Sequence, residues 1–329
     1  MSATAATSYV DEIAASAREL FARAAPADGL LERLRSEDVS RAAWEGAAEV
    51  GFFRLLTGER AGGLGAGPAE LAALFREIGR ALPAGPWVET VVAGGLLRDF
   101  ADLGADTAVI AYADAARPAA PVDFATQANV LAVRSAGSIG LVVGAPTAPL
   151  RSFDLAGRPA RVDLAAAAVE PLLAGDEADA VAGRISALAR VARAAELGGL
   201  AAAVLDMGVS YAKERVQFEK PIGSFQAVQH RLAEMAVTTT AIDSAVDAIV
   251  GLTDSGEAGA GAEAEAAALY LYAAGEARSV ALSCLQVHGG IGFTAEHPLH
   301  AYLKRVLRLQ AIAGAGDPLA ALGRRLLAG

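Results

Sequence analysis

Between residues 9 and 49 apolar side chains recur at helical spacing, first Ile13, Ala17, Leu20 and Phe21, then Leu30, Leu31 and Leu34. That spacing predicts two amphipathic helices. The stretch "VGFFRLLTGERAGGLGAGPAE" interrupts the pattern with Gly62, Gly63, Gly65 and Gly67, after which Pro68 and Glu70 open a helix over "AELAALFREIGRAL". Proline is preformed for a first helical turn, and an early acid favours the helix start. "GPWVETVVAGGLLRDFADLG" predicts one more helix.

The pattern then changes. "TAVIAY", "NVLAVRS" and "IGLVVGA" are short β-leaning runs bounded by Gly, Pro and Asp, as expected of strands in a small sheet or barrel. From Ala178 onward long helical segments return, over 178–215, 224–252 and 262–288. In the second, Val228, Leu232, Met235, Ile242, Val246 and Ile249 follow at steps of three, four or seven and so share one face. "SGEAGAGAEAEAAA" reads as a loop running into a helix N-terminus, and there is no internal repeat. The predicted architecture is mainly α with a small β domain: an N-terminal helical domain (1–105), a reduced middle β-sheet domain (106–176) and a C-terminal four-helix bundle (177–329).

Composition sharpens this picture. With 329 residues, 54% hydrophobic but only 5% aromatic, the chain favours closely packed Ala-rich helices and is long enough to bury a cofactor. A net charge of −10 argues against nucleic acid or anionic lipid as a partner. Cys284 is the only cysteine, which excludes an internal disulfide framework and a thiolate zinc cage built by this chain alone. The start "MSATAATSYVDEIAASAREL" reads as neither a signal peptide nor an anchor, and no apolar run approaches the ~20 residues of a membrane span. A reducing cytoplasm is the expected location.

Two stretches draw attention for chemistry: "RVQFEKPIGSFQAVQHRLAEMA" at 215–236 and "CLQVHGGIGFTAEHPLHAYLKR" at 284–305. Taken singly, their residues have plain readings. Arg215 can pair with Glu214, Glu219 or Asp206 on a solvated helix end. Gly289 to Gly292 can be a helix C-cap and turn. His288, His297 and His300 evoke a metal site or a general base, but read more simply as surface residues at helix ends. Gly62 to Gly67 is a weak phosphate-loop signal because no strand precedes it. Cys284 reads as a small buried hydrophobe.

Together the features are more specific. The order of helices, short sheet and bundle resembles the acyl-CoA dehydrogenase family of flavoproteins. "YAKERVQFEKPIGSFQAVQHRLAEMA", from Tyr211, is similar to the family's helix, Arg-x-x-Phe turn and Gln-rich following helix. "CLQVHGGIGF" is similar to its Gln-x-x-Gly-Gly-x-Gly-Phe segment, and the expected two helices lie between. A weaker match is the glycine loop in "GFFRLLTGERAGGLGAGPAELAALFREIGRAL". The resemblance covers most of the chain and implies FAD as cofactor. Arg215 would then meet the pyrophosphate, because a guanidinium offers planar multi-donor recognition of phosphate. Gln217 would bond a phosphate or hydroxyl, and Phe218 would supply an apolar plate. Gly289, Gly290 and Gly292 would let backbone N–H groups approach, and Gln286 would add an amide. In the family these motifs reach the flavin of a neighbouring subunit, which implies an obligate oligomer.

The sequence also departs from the family. Dehydrogenation needs a carboxylate to remove the substrate α-proton. The two family positions for it fall near Ala189 and Gly314, and neither has a carboxylate. Glu196 lies about two turns further along its helix. Glu296 sits inside the second motif, and Asp317 reads as the cap of a last helix, "DPLAALGRRLLA". "VIAYADAARPAAPVDF" lacks the family's Thr-Glu-Pro and Gly-Ser-Asp patterns, and the middle segment is too short for a full barrel. Since the family that the chain resembles includes divided αβ enzymes, the resemblance together with these losses implies a cofactor-completing subunit of a heteromeric acyl-CoA dehydrogenase, an α2β2 heterotetramer whose larger homologous partner carries the base. The substrate would be a bulky acyl-CoA of the steroid-degradation type, with an electron-transfer acceptor downstream. Two alternatives stay open: a self-sufficient homo-oligomer using Glu296 or Asp317 as base, and a flavin-free acyl-CoA-binding or scaffold protein.

Overall fold

The computed structural model describes residues 3–254 and 260–314. The N-terminal apolar pattern becomes three helices rather than two: α1 (Ala3–Ala24), α2 (Leu30–Ser36) and α3 (Arg41–Glu49). Gly29, at φ 73°, ends the first connection, and extended Glu37 closes α2 before α3 begins. After two single 3-10 turns comes α4 (Pro68–Ala81), whose Glu70 accepts from the Gly67 N–H at 2.9 Å. The glycine loop before α4 folds on itself. A Cβ on Gly63 would lie 2.2 Å from the Thr57 carbonyl oxygen, and the Gly65 N–H donates to that same oxygen at 2.8 Å. Those amides serve the turn, so this loop is no phosphate cradle.

The next predicted helix winds as a π-helical turn, Glu89–Gly94, running directly into α5 (Gly95–Leu97). It packs on a cluster of aromatic rings. Trp44 lies 4.3 Å from Phe53 and 4.9 Å from Trp87 between ring centroids, contacts that contribute about 0.5–1.5 kcal/mol each beyond their burial. The Trp44 indole N–H donates to the Thr107 carbonyl at 2.9 Å, tying the helices to the start of the β region.

Seven strands follow in two small sheets: β1 (Ile110–Asp114), β2 (Val122–Asp123), β3 (Val130–Ser135), β4 (Ser138–Val142), β5 (Thr147–Pro149), β6 (Pro159–Val162) and β7 (Glu170–Ala174). One sheet has the order β1-β3-β4-β7, with β1 and β3 parallel and the other pairs antiparallel; the second is the antiparallel β2-β6-β5. The three β-leaning runs of the sequence are β1, β3 and β4. Ala111, Leu131, Val133, Val122 and Val162 form a small core of their own among these strands.

The long helix α6 (Gly175–Glu214) runs the length of the C-terminal part. A hairpin, β8 (Val216–Gln217) and β9 (Lys220–Pro221), leads to α7 (Gln226–Asp254). Then come α8 (Ala260–His288), a 3-10 turn (Gly289–Phe293) and α9 (Leu299–Ala313). On α7, Met235, Ile242 and Val246 are buried, as their spacing requires. Helices α4 and α6 cross with their backbones in contact. A Cβ on Gly199 would sit 2.0 Å from the Arg76 carbonyl oxygen, and one on Gly79 would sit 2.1 Å from that of Glu196. The last predicted helix, with Asp317, lies outside the described residues. No helix among the described residues is long and apolar enough to cross a membrane.

Candidate functional site

Helix α6 carries sequence-predicted positions at its C-terminal end and in its N-terminal half. At its C-terminus Arg215 leaves the helix in an extended conformation, its N–H still donating to the Tyr211 carbonyl at 2.9 Å. The hairpin turn that follows has two non-glycine residues at positive φ, Phe218 at 51° and Glu219 at 66°. Positive φ at both central positions is the signature of a tight two-residue hairpin turn, and it drives Phe218 into solvent, 86% exposed. Gln217 is exposed and donates its amide to the neighbouring Val216 carbonyl at 2.8 Å. Arg215 is exposed and, among the described residues, makes no ion pair with Glu214, Glu219 or Asp206; Asp206 pairs with Arg80 instead, at 2.9 Å.

The second motif comes to the same end of the bundle. Gln286, Gly289 and Gly290 are exposed, and a Cβ on either glycine would meet open space. Gly289 is nonetheless needed as glycine, since its φ of 63° turns the chain out of α8. His288 corrects the sequence-based expectation of a surface residue, being only 4% exposed. Its Nδ1–H donates to the Cys284 carbonyl at 2.9 Å, and its ring stacks on Tyr211 and meets His297 with centroids 4.6 Å apart. This stack joins the end of α6 to the end of α8. The His297 Nδ1 accepts from the Leu299 N–H at 3.2 Å. His297 and His300 are held below the ordinary histidine value mainly by burial, and no cluster among the described residues suits a metal ion. Cys284 is buried, donates to the Val204 carbonyl and has its thiol pushed up to about 12 by burial. It is an inert core residue.

About a third of the way along α6 from its start, Ala189 faces a cavity of about 300 Å³ that is also lined by Ala313, the neighbour of Gly314. The two positions at which a base was sought therefore converge on one pocket, and neither supplies a carboxylate. The pocket does contain acids, all engaged. Glu89 receives Arg193 at 2.7 Å, Glu263 receives Arg190 at 3.0 Å and Ser186 at 3.1 Å, and Asp114 receives the Ala116 N–H at 3.0 Å. Glu196 lies outside the pocket, buried in an ion pair with Arg305 at 2.7 Å; Arg305 also reaches Asp154 at 3.3 Å. Glu296 is exposed in the loop before α9, by the other end of the bundle. Sequence reasoning missed Glu89, Arg193, Arg190 and Glu263, which share no motif and come from three separate helical segments.

Ala189 and Arg215 are about 26 residues apart on one helix, so the pocket and the exposed motif residues are separated by roughly 39 Å along its axis. The exposed donors fit the phosphate portion of a dinucleotide. Beside them a second cavity of about 720 Å³ is lined by Tyr211, Glu214, His288, His297 and Tyr302.

Family models agree with this fold. The model described as acyl-CoA dehydrogenase, N-terminal domain, matches residues 7–103, and that described as acyl-CoA dehydrogenase, C-terminal domain, matches residues 180–325. Acyl-CoA dehydrogenase FadE34 of Mycobacterium tuberculosis is 34% identical over 293 residues, 82% of this chain but only 39% of that protein's length. Acyl-CoA dehydrogenase IpdE2 of the same organism is 34% identical over 265 residues, 78% of this chain and 77% of its own. Among solved structures, a variant of the Tcur3481-Tcur3483 steroid ACAD superposes with a TM-score of 0.84 at 24% identity, covering 98% of this chain and 99% of that one. The ChsE4-ChsE5 complex from Mycobacterium tuberculosis gives 0.78 at 21% identity, with 97% of each chain covered.

Proposed function

The chain belongs to the acyl-CoA dehydrogenase family, whose members are oxidoreductases acting on CH–CH bonds, and we propose that it is the cofactor-completing subunit of a heteromeric FAD-dependent acyl-CoA dehydrogenase. Its Arg215, with Gln217, Gln286 and the backbone at Gly289 and Gly290, would hold the phosphate portion of an FAD whose ring lies in the partner chain. FAD supplies the two-electron acceptor for α,β-desaturation of the thioester. The carboxylate that removes the α-proton belongs, in this reading, to the larger partner.

The observation that carries the proposal is the division of labour along α6. The exposed motif residues stand roughly 39 Å from the pocket at Ala189, and that pocket offers alanine at one base position and glycine beside it at the other. Two of the similar solved structures are named for pairs of subunits, one of them a steroid ACAD, which supports a heteromer acting on a bulky acyl-CoA. A self-sufficient enzyme with Glu296 as base is disfavoured by the position of Glu296, exposed away from the pocket.

Co-expression with a larger acyl-CoA dehydrogenase homologue tests the proposal, with flavin absorbance and an acyl-CoA oxidation assay as readouts. The expected result is no flavin in the chain alone, and flavin with activity in the complex. Activity of the chain alone indicates the self-sufficient enzyme, and a complex without flavin indicates a scaffold.

A further inference from the structure

The pocket at Ala189 has a property that the cofactor-completing role does not use. Four guanidiniums, Arg117, Arg134, Arg190 and Arg193, face three carboxylates there, in a protein whose net charge is −10. Arg190 and Arg193 are satisfied by Glu263 and Glu89. Among the described residues Arg117 and Arg134 make no side-chain hydrogen bond or ion pair, and neither does the Tyr112 hydroxyl of the same lining; the nearby Asp114 accepts from the Ala116 N–H. Burial pushes the Tyr112 phenol up to about 12, so it stays a donor. The unused charge and the unused polar hydrogens of this cavity therefore call for an acceptor. The same lining also includes the apolar side chains of Val88, Val92, Ile185, Ala267 and Ile312.

From this juxtaposition we propose that the pocket binds a small apolar organic acid, its carboxylate held by Arg134, Arg117 and the Tyr112 hydroxyl and its body against the apolar side chains. A planar guanidinium fork matches a carboxylate in two parallel bonds, and about 300 Å³ is at the lower end of the range for small-molecule sites. That volume suits a compact ring bearing one free carboxylate. This site does not depend on the heteromer reading, because the residues involved are remote from Arg215.

Isothermal titration of the full chain with cyclohexanecarboxylate, cyclohexylmethanol and inorganic phosphate tests it. The acid is expected to bind, with the alcohol weaker by about tenfold or more, since a hydrogen bond to a charged group is at stake. Arg134→Gln and, separately, the more exposed Arg117→Gln should each weaken the acid, with unchanged melting temperature as the check on folding. Arg215→Ala should leave acid binding intact, so that loss of flavin retention and loss of acid binding report on separate proposals. Equal affinity for acid and alcohol, indifference to both arginine substitutions, phosphate binding as tightly as the acid, or no binding at all would each overturn the inference.

Discussion

His288 and Tyr211 stack with ring centroids 4.4 Å apart and planes 20° apart, one at the end of α8 and the other one turn before the end of α6. The two exposed motifs are thereby fixed to each other through a buried contact. Replacing His288 with Ala should cost about 1 kcal/mol or more of stability, from the lost ring pair and its burial, and should lower flavin retention in the complex. His288→Phe keeps the stack and should restore most of the retention. Flavin-to-protein ratios of the two variants, read beside their melting temperatures, check this.

The same region carries a pH dependence. His297 and His300 have their folded values lowered below 6.5, chiefly by burial. A lowered value means that the folded state prefers the neutral ring, so the contribution is present above 6.5 and is lost as pH falls through the lower folded value. Protonation at His297 Nδ1 would also remove the acceptor for the Leu299 N–H. Melting temperature should fall as pH drops from about 7 to about 5, with a shallower slope in His297→Gln.

Two glycines of α6 should respond to alanine with opposite signs. At Gly199 the new methyl would collide with the Arg76 backbone, whereas at Gly183 it would meet nothing. Gly199→Ala should destabilise by about 1–3 kcal/mol through overpacking. Gly183→Ala should stabilise by about 0.5–1 kcal/mol through helix propensity. Chemical denaturation of both variants measures the difference.

The β region is held to the bundle by a buried charge network. Arg305 joins Glu196 to Asp154, and Arg308 meets Asp123 at 2.6 Å. Arg305→Met would leave buried Glu196 without its partner, while Asp154 keeps Arg308 at 3.9 Å, and should cost about 3–5 kcal/mol. Asp123 is held above the usual carboxylate value, with burial as the largest cause, so its favourable contribution is greatest at low pH and is lost as pH rises through the folded value. Asp123→Asn, which imitates the protonated acid, should be better tolerated than Arg305→Met in denaturant titrations.

Much of the fold was legible because apolar spacing is a local signal. The faces of α1, α2, α4 and α7 follow from residues within a few turns of one another, and β1, β3 and β4 from short β-leaning runs bounded by Gly, Pro and Asp. Strands β2, β5 and β6 span only two to four residues each, and β7 starts with an acid and a proline, both unfavourable in a strand. The motif ends of α6 and α8 could be read as loops after helices, but not their stacking, since Tyr211 and His288 are distant in sequence. The pocket was illegible for the same reason. Glu89, Tyr112, Arg134, Arg193 and Tyr270 each come from a different element, and only tertiary packing brings them together.

The most direct measurement is the flavin-to-protein ratio of this chain purified alone, then combined with its larger partner as wild type or as Arg215→Ala. The expected outcome is no flavin alone, stable flavin in the wild-type complex and its loss in the Arg215→Ala complex. A full complement of reducible flavin in the isolated chain, or undiminished flavin in the Arg215→Ala complex, would contradict the account.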